Sequence, residues 1–356
     1  MNETATTQPE ALMPDLMGVE LNGRWIVGER DMKRPGESGR NFCLCYTVTE
    51  KGHSEQPYFL KALDFYRPLA NSKNIVADLL PLLERFHFEQ RVLDACKGSD
   101  RVVTAIDSGQ YTPPGEKIPI PFLVFELGTG DMNRHLASNA VDFTWKIQAF
   151  HHIATAIRYI HGRDIAHQDL KPSNVVVFQK HSSVADFGRA SWKGVAGPFD
   201  HEVFPGDPSY MPPEFRYGWT VESFERRRFG ADVYMLGAMG VFLFTGLHLN
   251  VIVEANLADE YKPSRWKEDY QKVLVYYRDA FYRALDDIKA RLPANNVSEE
   301  LTHIFTWLCE PDPMKRGFIR FGKVEPTDYS LDRLVSRLDY LIGESIVLAR
   351  VAKDNE

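Results

Sequence analysis

A chain of 356 residues with 44% hydrophobic and 26% charged residues is long enough for two packed lobes with a real core, and ordinary in composition for a globular protein. A net charge of −7 speaks against nucleic-acid binding as the main task, since contact with phosphates needs a basic face. Cys43, Cys45, Cys96 and Cys309 show neither disulfide nor zinc spacing and fit a reducing cytoplasm.

Residues 1–17 are polar at the start, without the basic-then-apolar pattern of a signal peptide, and read as a flexible leader. Residues 20–64 read as a twisted antiparallel sheet built from ELNGRWIVGERD, NFCLCYTVTEKG and QPYFLKALDF, with clear alternation in FCLCYTVT. Between the first two strands, KRPGESGRNF places Gly36 and Gly39 where backbone N–H groups can approach phosphate oxygens. A hairpin turn accounts for the same two glycines. Lys61 stands alone among apolar neighbours on a predicted central strand, a costly place for a cation without a partner. Residues 72–97 read helical, with Leu83, Phe86, Val92 and Leu93 at near-helical spacing. Glu84 and Glu89 are two glutamates on that stretch. RVVTAIDSGQY and IPFLVFELGTGDM supply two more strands, and a domain boundary is placed near residue 128.

Residues 143–164 predict a helix that delivers the chain into IAHQDLKPSNVVVF, residues 165–178, followed by ADFG, residues 185–188. His151, His152 and His161 on that helix form no metal-ligand pattern. In the loop, Asp169 is a carboxylate able to accept a proton from a hydroxyl, and Lys171 places a cation beside it. Asn174 and Asp186 are a neutral and an anionic oxygen donor, suited to a hard cation such as Mg²⁺. Base, cation and two metal ligands are the parts phosphoryl transfer requires. Downstream lie GDPSYMPPE at 206–214, a buried helix over 231–244, a long charged helical insert at 255–290 and EPDPMKR at 310–316. The apolar run 238–247 is about half the length of a membrane span. Arg226, Arg227 and Arg228 read as a solvated loop rather than a phosphate clamp. Residues 328–351 predict an amphipathic helix, through Leu331, Leu334, Val335, Leu338, Leu341 and Ile342, that packs on the large lobe or pairs in a homodimer.

HQDLKPSN, ADFG, GDPSYMPPE and EPDPMKR, in this order, resemble the catalytic and activation segments of eukaryotic-like serine/threonine protein kinases. The resemblance implies an α+β, bilobal fold, an antiparallel β-sheet N-lobe at 18–127 and a mostly helical C-lobe at 128–325, with a C-terminal helix at 326–356. It implies ATP and Mg²⁺ as cofactors and a protein substrate; cysteine usage, net charge and the short apolar runs add the expectation of a cytoplasmic location with no nucleic acid or membrane as partner. By resemblance, Asp169 is the base and Lys171 the charge-offsetting cation. Gly36 and Gly39 cover the phosphates, Lys61 held by Glu89 (with Glu84 the second candidate) orients them, and Asn174 and Asp186 hold the metal. Glu126, Leu127 and Gly128 read adenine through their backbones, with Phe125 as gatekeeper. Glu214 is expected to pair with Arg316, and Asp232 to accept backbone N–H groups of the catalytic loop.

Three departures stand out. Phe59 replaces the small residue that roofs adenine. Gln168 replaces an arginine that pairs with an activation-loop phosphate. Asp207 replaces a threonine and is expected to pair with Lys171 while raising the pKa of Asp169. With Ser191 and Ser209 the only hydroxyl residues between Phe187 and Tyr210, activity is expected not to depend on loop phosphorylation. A pseudokinase scaffold and a small-molecule kinase are the other readings.

Overall fold

The computed structural model describes residues 13–31, 42–70, 72–138, 141–318 and 329–354. The chain divides into two compact units. One holds the residues up to Asp94 together with Val103–Leu127; the other holds Ala95–Val102 and everything from Gly128 onward. An antiparallel-sheet unit followed by a mostly helical one is the α+β arrangement expected.

The first unit is built on six antiparallel strands in the order Glu20–Leu21, Trp25–Arg30, Cys43–Glu50, His53–Leu63, Ile120–Glu126 and Asp107–Tyr111. Lys61 lies on the central strand His53–Leu63, opposite Cys45 on one side and Leu123 on the other. The strand Ile120–Glu126 is buried over its first six residues. It is covered on both faces, so a period of two disappears from its sequence. Of the leader read at residues 1–17, residues 1–12 lie outside those described, whereas Met13 and Leu16 are buried. Leu16 donates its N–H to the Tyr46 hydroxyl at 3.5 Å. Two apolar side chains in the core tie that stretch down.

The second unit centres on the helices Phe143–His161 and Gly230–Thr245, which pack on each other. Gly230–Thr245 is buried almost throughout and absorbs most of the apolar run 238–247. No single helix among the described residues is long and apolar enough to cross a membrane. The insert read as helical over 255–290 is a long helix only at Tyr270–Lys289. Before it, Asp259–Tyr261 makes one short turn. Pro263 cannot continue a helix, and Asp269 starts the new one by accepting the Gln271 N–H at 2.7 Å. The C-terminal helix Asp332–Asp354 lies against Phe143–His161 and Asn296–Leu308. Leu331, Leu334, Val335, Leu338 and Leu341 are buried there and Ile342 is half-buried, so this stripe of the helix packs within its own unit.

Candidate active site

In the first unit the structure brings Lys61 and Glu89 together. Leu60 and Ala62 beside Lys61 are fully buried, and the Lys61 side chain is 18% exposed. Its Nζ lies 2.7 Å from Glu89 Oε1 and 2.9 Å from Oε2. Glu89 is on the inner face of the helix Ile75–Ala95, in line with Leu82, Phe86 and Leu93, all buried. That spacing of four, three and four residues is one helical stripe. Glu84 falls off the stripe and is exposed. Phe59 sits opposite Phe125 in the sheet register, and the two rings are 6.3 Å apart at 45°. Glu126 is exposed and ends the strand Ile120–Glu126. Gly128 opens the second unit, where an added Cβ would run into Val176 Cγ1; only glycine allows that approach. Gly36 and Gly39 lie outside the described residues.

The second unit gathers Asp169, Lys171, Asn174 and Asp207 around one buried carboxylate. The short strand Ile165–Ala166 enters the loop, and a tight turn at Pro172–Asn174 leads into Val175–Val177. Asp169 Oδ1 accepts the Asp207 N–H at 2.8 Å. Its Oδ2 accepts Asn174 Nδ2 at 3.1 Å and faces Lys171 Nζ at 3.2 Å, with Arg189 Nε at 4.0 Å. Asn174 Nδ2 also donates to the Asp169 carbonyl at 2.8 Å. With its nitrogen committed, Asn174 has its carbonyl oxygen left as a ligand. Asp186 takes a left-handed backbone at φ +62° and bears electrostatically on Asp169. A carboxylate and an amide oxygen in one loop system are the hard donors Mg²⁺ takes when phosphate and water complete its shell, so these residues fit that ion.

Burial is the main reason the Asp169 carboxyl is held above its usual range; Lys171, Arg189 and His167 oppose it, and Asp186 adds to it. The Asp207 carboxylate, expected to raise it, is turned to Lys171. As expected, Asp207 pairs with Lys171 at 3.4 Å, and it accepts the Ser209 N–H at 3.0 Å. Burial works to raise its pKa, but those partners hold it below the usual range. It meets Asp169 with its backbone N–H, and so supports the carboxylate.

The surroundings fix this cluster. Asp232, fully buried, accepts the His167 N–H at 2.7 Å, the Gln168 N–H at 2.8 Å and Gln168 Nε2 at 3.0 Å. His161 Nε2 lies 2.9 Å from the same carboxylate. Glu214 and Arg316 form a fully buried fork-to-fork pair with both contacts at 2.7 Å. One residue belongs to this scaffold that the sequence reading left in solvent. Arg228 is 1% exposed and donates to Gln168 and to three backbone carbonyls. Its position four residues before Asp232 put it on the same helical face, the signal that could have found it.

The protein kinase domain family model matches residues 53–320. The chain is similar to the serine/threonine-protein kinase Pkn1 of Myxococcus xanthus, 30% identical over 176 residues, or 46% of this chain and 23% of the relative. It is similar to the serine/threonine-protein kinase AfsK of Streptomyces coelicolor, 38% identical over 94 residues, 26% of this chain and 11% of the relative. A probable CTD kinase subunit alpha homolog of Encephalitozoon cuniculi is 29% identical over 147 residues, 38% of this chain and 42% of the relative. The chain thus spans less than half the length of each of these curated relatives.

Proposed function

The chain belongs to the protein kinase family, and from that premise we propose that it transfers the γ-phosphoryl group of ATP to a serine or threonine hydroxyl of a protein substrate. The observation that carries this is the buried Asp169 carboxylate, held by Lys171 and Asn174 from the following turn and by the Asp207 N–H from a segment 38 residues on. A scaffold would have no need to bury a carboxylate among donors so arranged.

In this reading Asp169 orients the attacking hydroxyl and accepts its proton as the oxygen bonds to phosphorus and the bond to ADP breaks. Lys171 offsets charge on the transferring group. Lys61, held by Glu89, orients the phosphates, which Gly36 and Gly39 cover. The backbone groups of Glu126 and Gly128 read adenine. Asn174 and Asp186 hold Mg²⁺, which supplies charge neutralisation on the phosphate oxygens. Serine/threonine specificity is supported by Lys171 within DLKPSN and by the kinase relatives of that name. A protein substrate is supported by the 206–214 segment, anchored through Glu214 to Arg316.

Thermal unfolding with Mg·ATP tests the reading. A ligand that binds only the native state adds about 2.7 kcal/mol at about 100 times its Kd. The expected result is a magnesium-dependent rise in Tm that is lost in Asp186→Ala. No rise at saturating nucleotide overturns the catalytic reading. It would favour a nucleotide-free scaffold, for which Phe59 standing against Phe125 is the supporting observation.

Independence from loop phosphorylation is part of the same proposal. Ser191 is fully buried in a short strand pair with Ile165–Ala166, out of reach of a second kinase. Ser209 is the exposed hydroxyl. Ser191→Ala/Ser209→Ala is expected to keep phosphotransfer within about threefold of wild type, because the residue 209 N–H that Asp207 accepts is kept and only the Ser209 side-chain contact with that carboxylate is lost. Loss of activity in that variant would sink the idea.

A further inference from the structure

The widened helical turn Glu225–Phe229 carries a cation that the proposed chemistry does not use. Arg228 is buried, and desolvation pushes its pKa down only to about 10, so it stays charged at neutral pH. A buried cation is tolerated only where acceptors surround it. Here they come from two places. Arg228 Nη1 donates to Gln168 Oε1 at 3.1 Å, and Gln168 Nε2 donates back to the Arg228 carbonyl at 2.9 Å. Arg228 Nη2 donates to the carbonyls of Phe199, Asp200 and Glu202 at 3.2, 3.1 and 3.0 Å. Arg227 reaches the Asp200 carbonyl at 2.8 Å, and Glu225 pairs with Lys193 at 2.6 Å. The stretch 199–202 is therefore fastened to the residue that precedes Asp169.

A few residues further on, the same segment meets the catalytic loop again. Gly206 lies so close to the Gln168 carbonyl that a Cβ would collide with it, and the Asp207 N–H is then placed on Asp169. Gln168 itself is held at φ +66°, off the ordinary backbone regions.

We propose that Arg228 is a positioning residue: by joining Gln168 to the carbonyls of residues 199–202 it holds the 199–207 segment down, so that the Asp207 N–H stays on Asp169 without any phosphate on the segment. This rests on Asp169 being the base. The fork geometry of arginine is required, since a lysine offers one point charge and cannot bridge Gln168 and three carbonyls at once.

The test is Arg228→Lys, Gln168→Ala and the double variant, each compared with wild type by amide hydrogen exchange and by phosphotransfer to a mixed serine/threonine peptide pool. The amides of Asp200, Glu202 and Asp207 are the reporters; they are bonded to the Gly197 carbonyl, the Phe199 carbonyl and Asp169. Arg228→Lys is expected to fold, to lose at least about tenfold of the protection at these amides, and to lose kcat by about tenfold or more with KM for ATP unchanged. The double variant is expected to be no worse than either single one, as for residues that act as a unit. Wild-type exchange at the three amides in Arg228→Lys, or an unchanged kcat, overturns the proposal. If Arg228→Lys does not fold, Gln168→Ala decides by the same readouts. If wild type transfers no phosphate at all, the catalytic reading falls, and exchange at Asp200, Glu202 and Asp207 still decides whether the segment is held this way.

Discussion

Asp169→Asn is expected to lower kcat about 10²–10⁴-fold, the share of a positioned general base, and to leave a protein more stable than wild type at neutral pH. The first half follows from geometry. Asn keeps the shape and still accepts the Asp207 N–H, but it takes up no proton from a hydroxyl. The second half follows from linkage. Burial holds the Asp169 carboxyl above its usual range, so the folded protein binds that proton more tightly than the unfolded chain. The group's contribution is fully present below the unfolded pKa, near 4 for an aspartate, and is lost as pH rises through the folded pKa. At neutral pH the ionised carboxylate in its buried site is therefore a cost that the amide removes, and Lys171 keeps Asp207 as a partner. Urea titrations of both proteins across this range check it. The stability gain should vanish at acid pH. The acid limb of kcat/KM in wild type should lie above the ordinary carboxylate range. A mutant less stable than wild type at neutral pH would show that the donors around Asp169 outweigh its desolvation.

Arg316→Met is expected to destabilise the second unit by about 3–5 kcal/mol, the cost of stripping one partner from a buried pair. Both side chains are essentially out of water. Arg316 also donates to the carbonyls of Glu310, Gly230 and Pro311, so the substitution leaves Glu214 and several backbone acceptors unpaired at once. Replacing Glu214 as well, by Leu in the double variant, should recover part of the loss, because the uncompensated carboxylate is then gone. Denaturant unfolding of the single and double variants measures both effects. If the double variant is as unstable as the single one, the loss lies in the carbonyl contacts rather than in the orphaned carboxylate.

Much of the site was legible because its chemistry is local in sequence. Asp169, Lys171 and Asn174 lie within six residues, and one tight turn is enough to bring their atoms together. Asp232 and the Glu214–Arg316 pair were legible for another reason: resemblance to the family named their partners, and burial then holds each charge to one. Helix and strand types followed from period, except where burial on both faces erased it, as in Ile120–Glu126, or where a proline cut a charged stretch short, as before Tyr270–Lys289.

What the sequence by itself determined is the order and type of the elements and the identity of the groups that can do phosphoryl chemistry. Those follow from side-chain period and from residue types a few positions apart. Only the tertiary structure decided that Glu89 rather than Glu84 meets Lys61, that Asp207 turns its backbone and not its carboxylate to Asp169, and that Arg228 is core rather than surface. The physical reason is the same in each case. Whether a charged group is solvated or buried, and which of two acceptors a donor reaches, depends on neighbours brought in from dozens of residues away, and no local pattern records them.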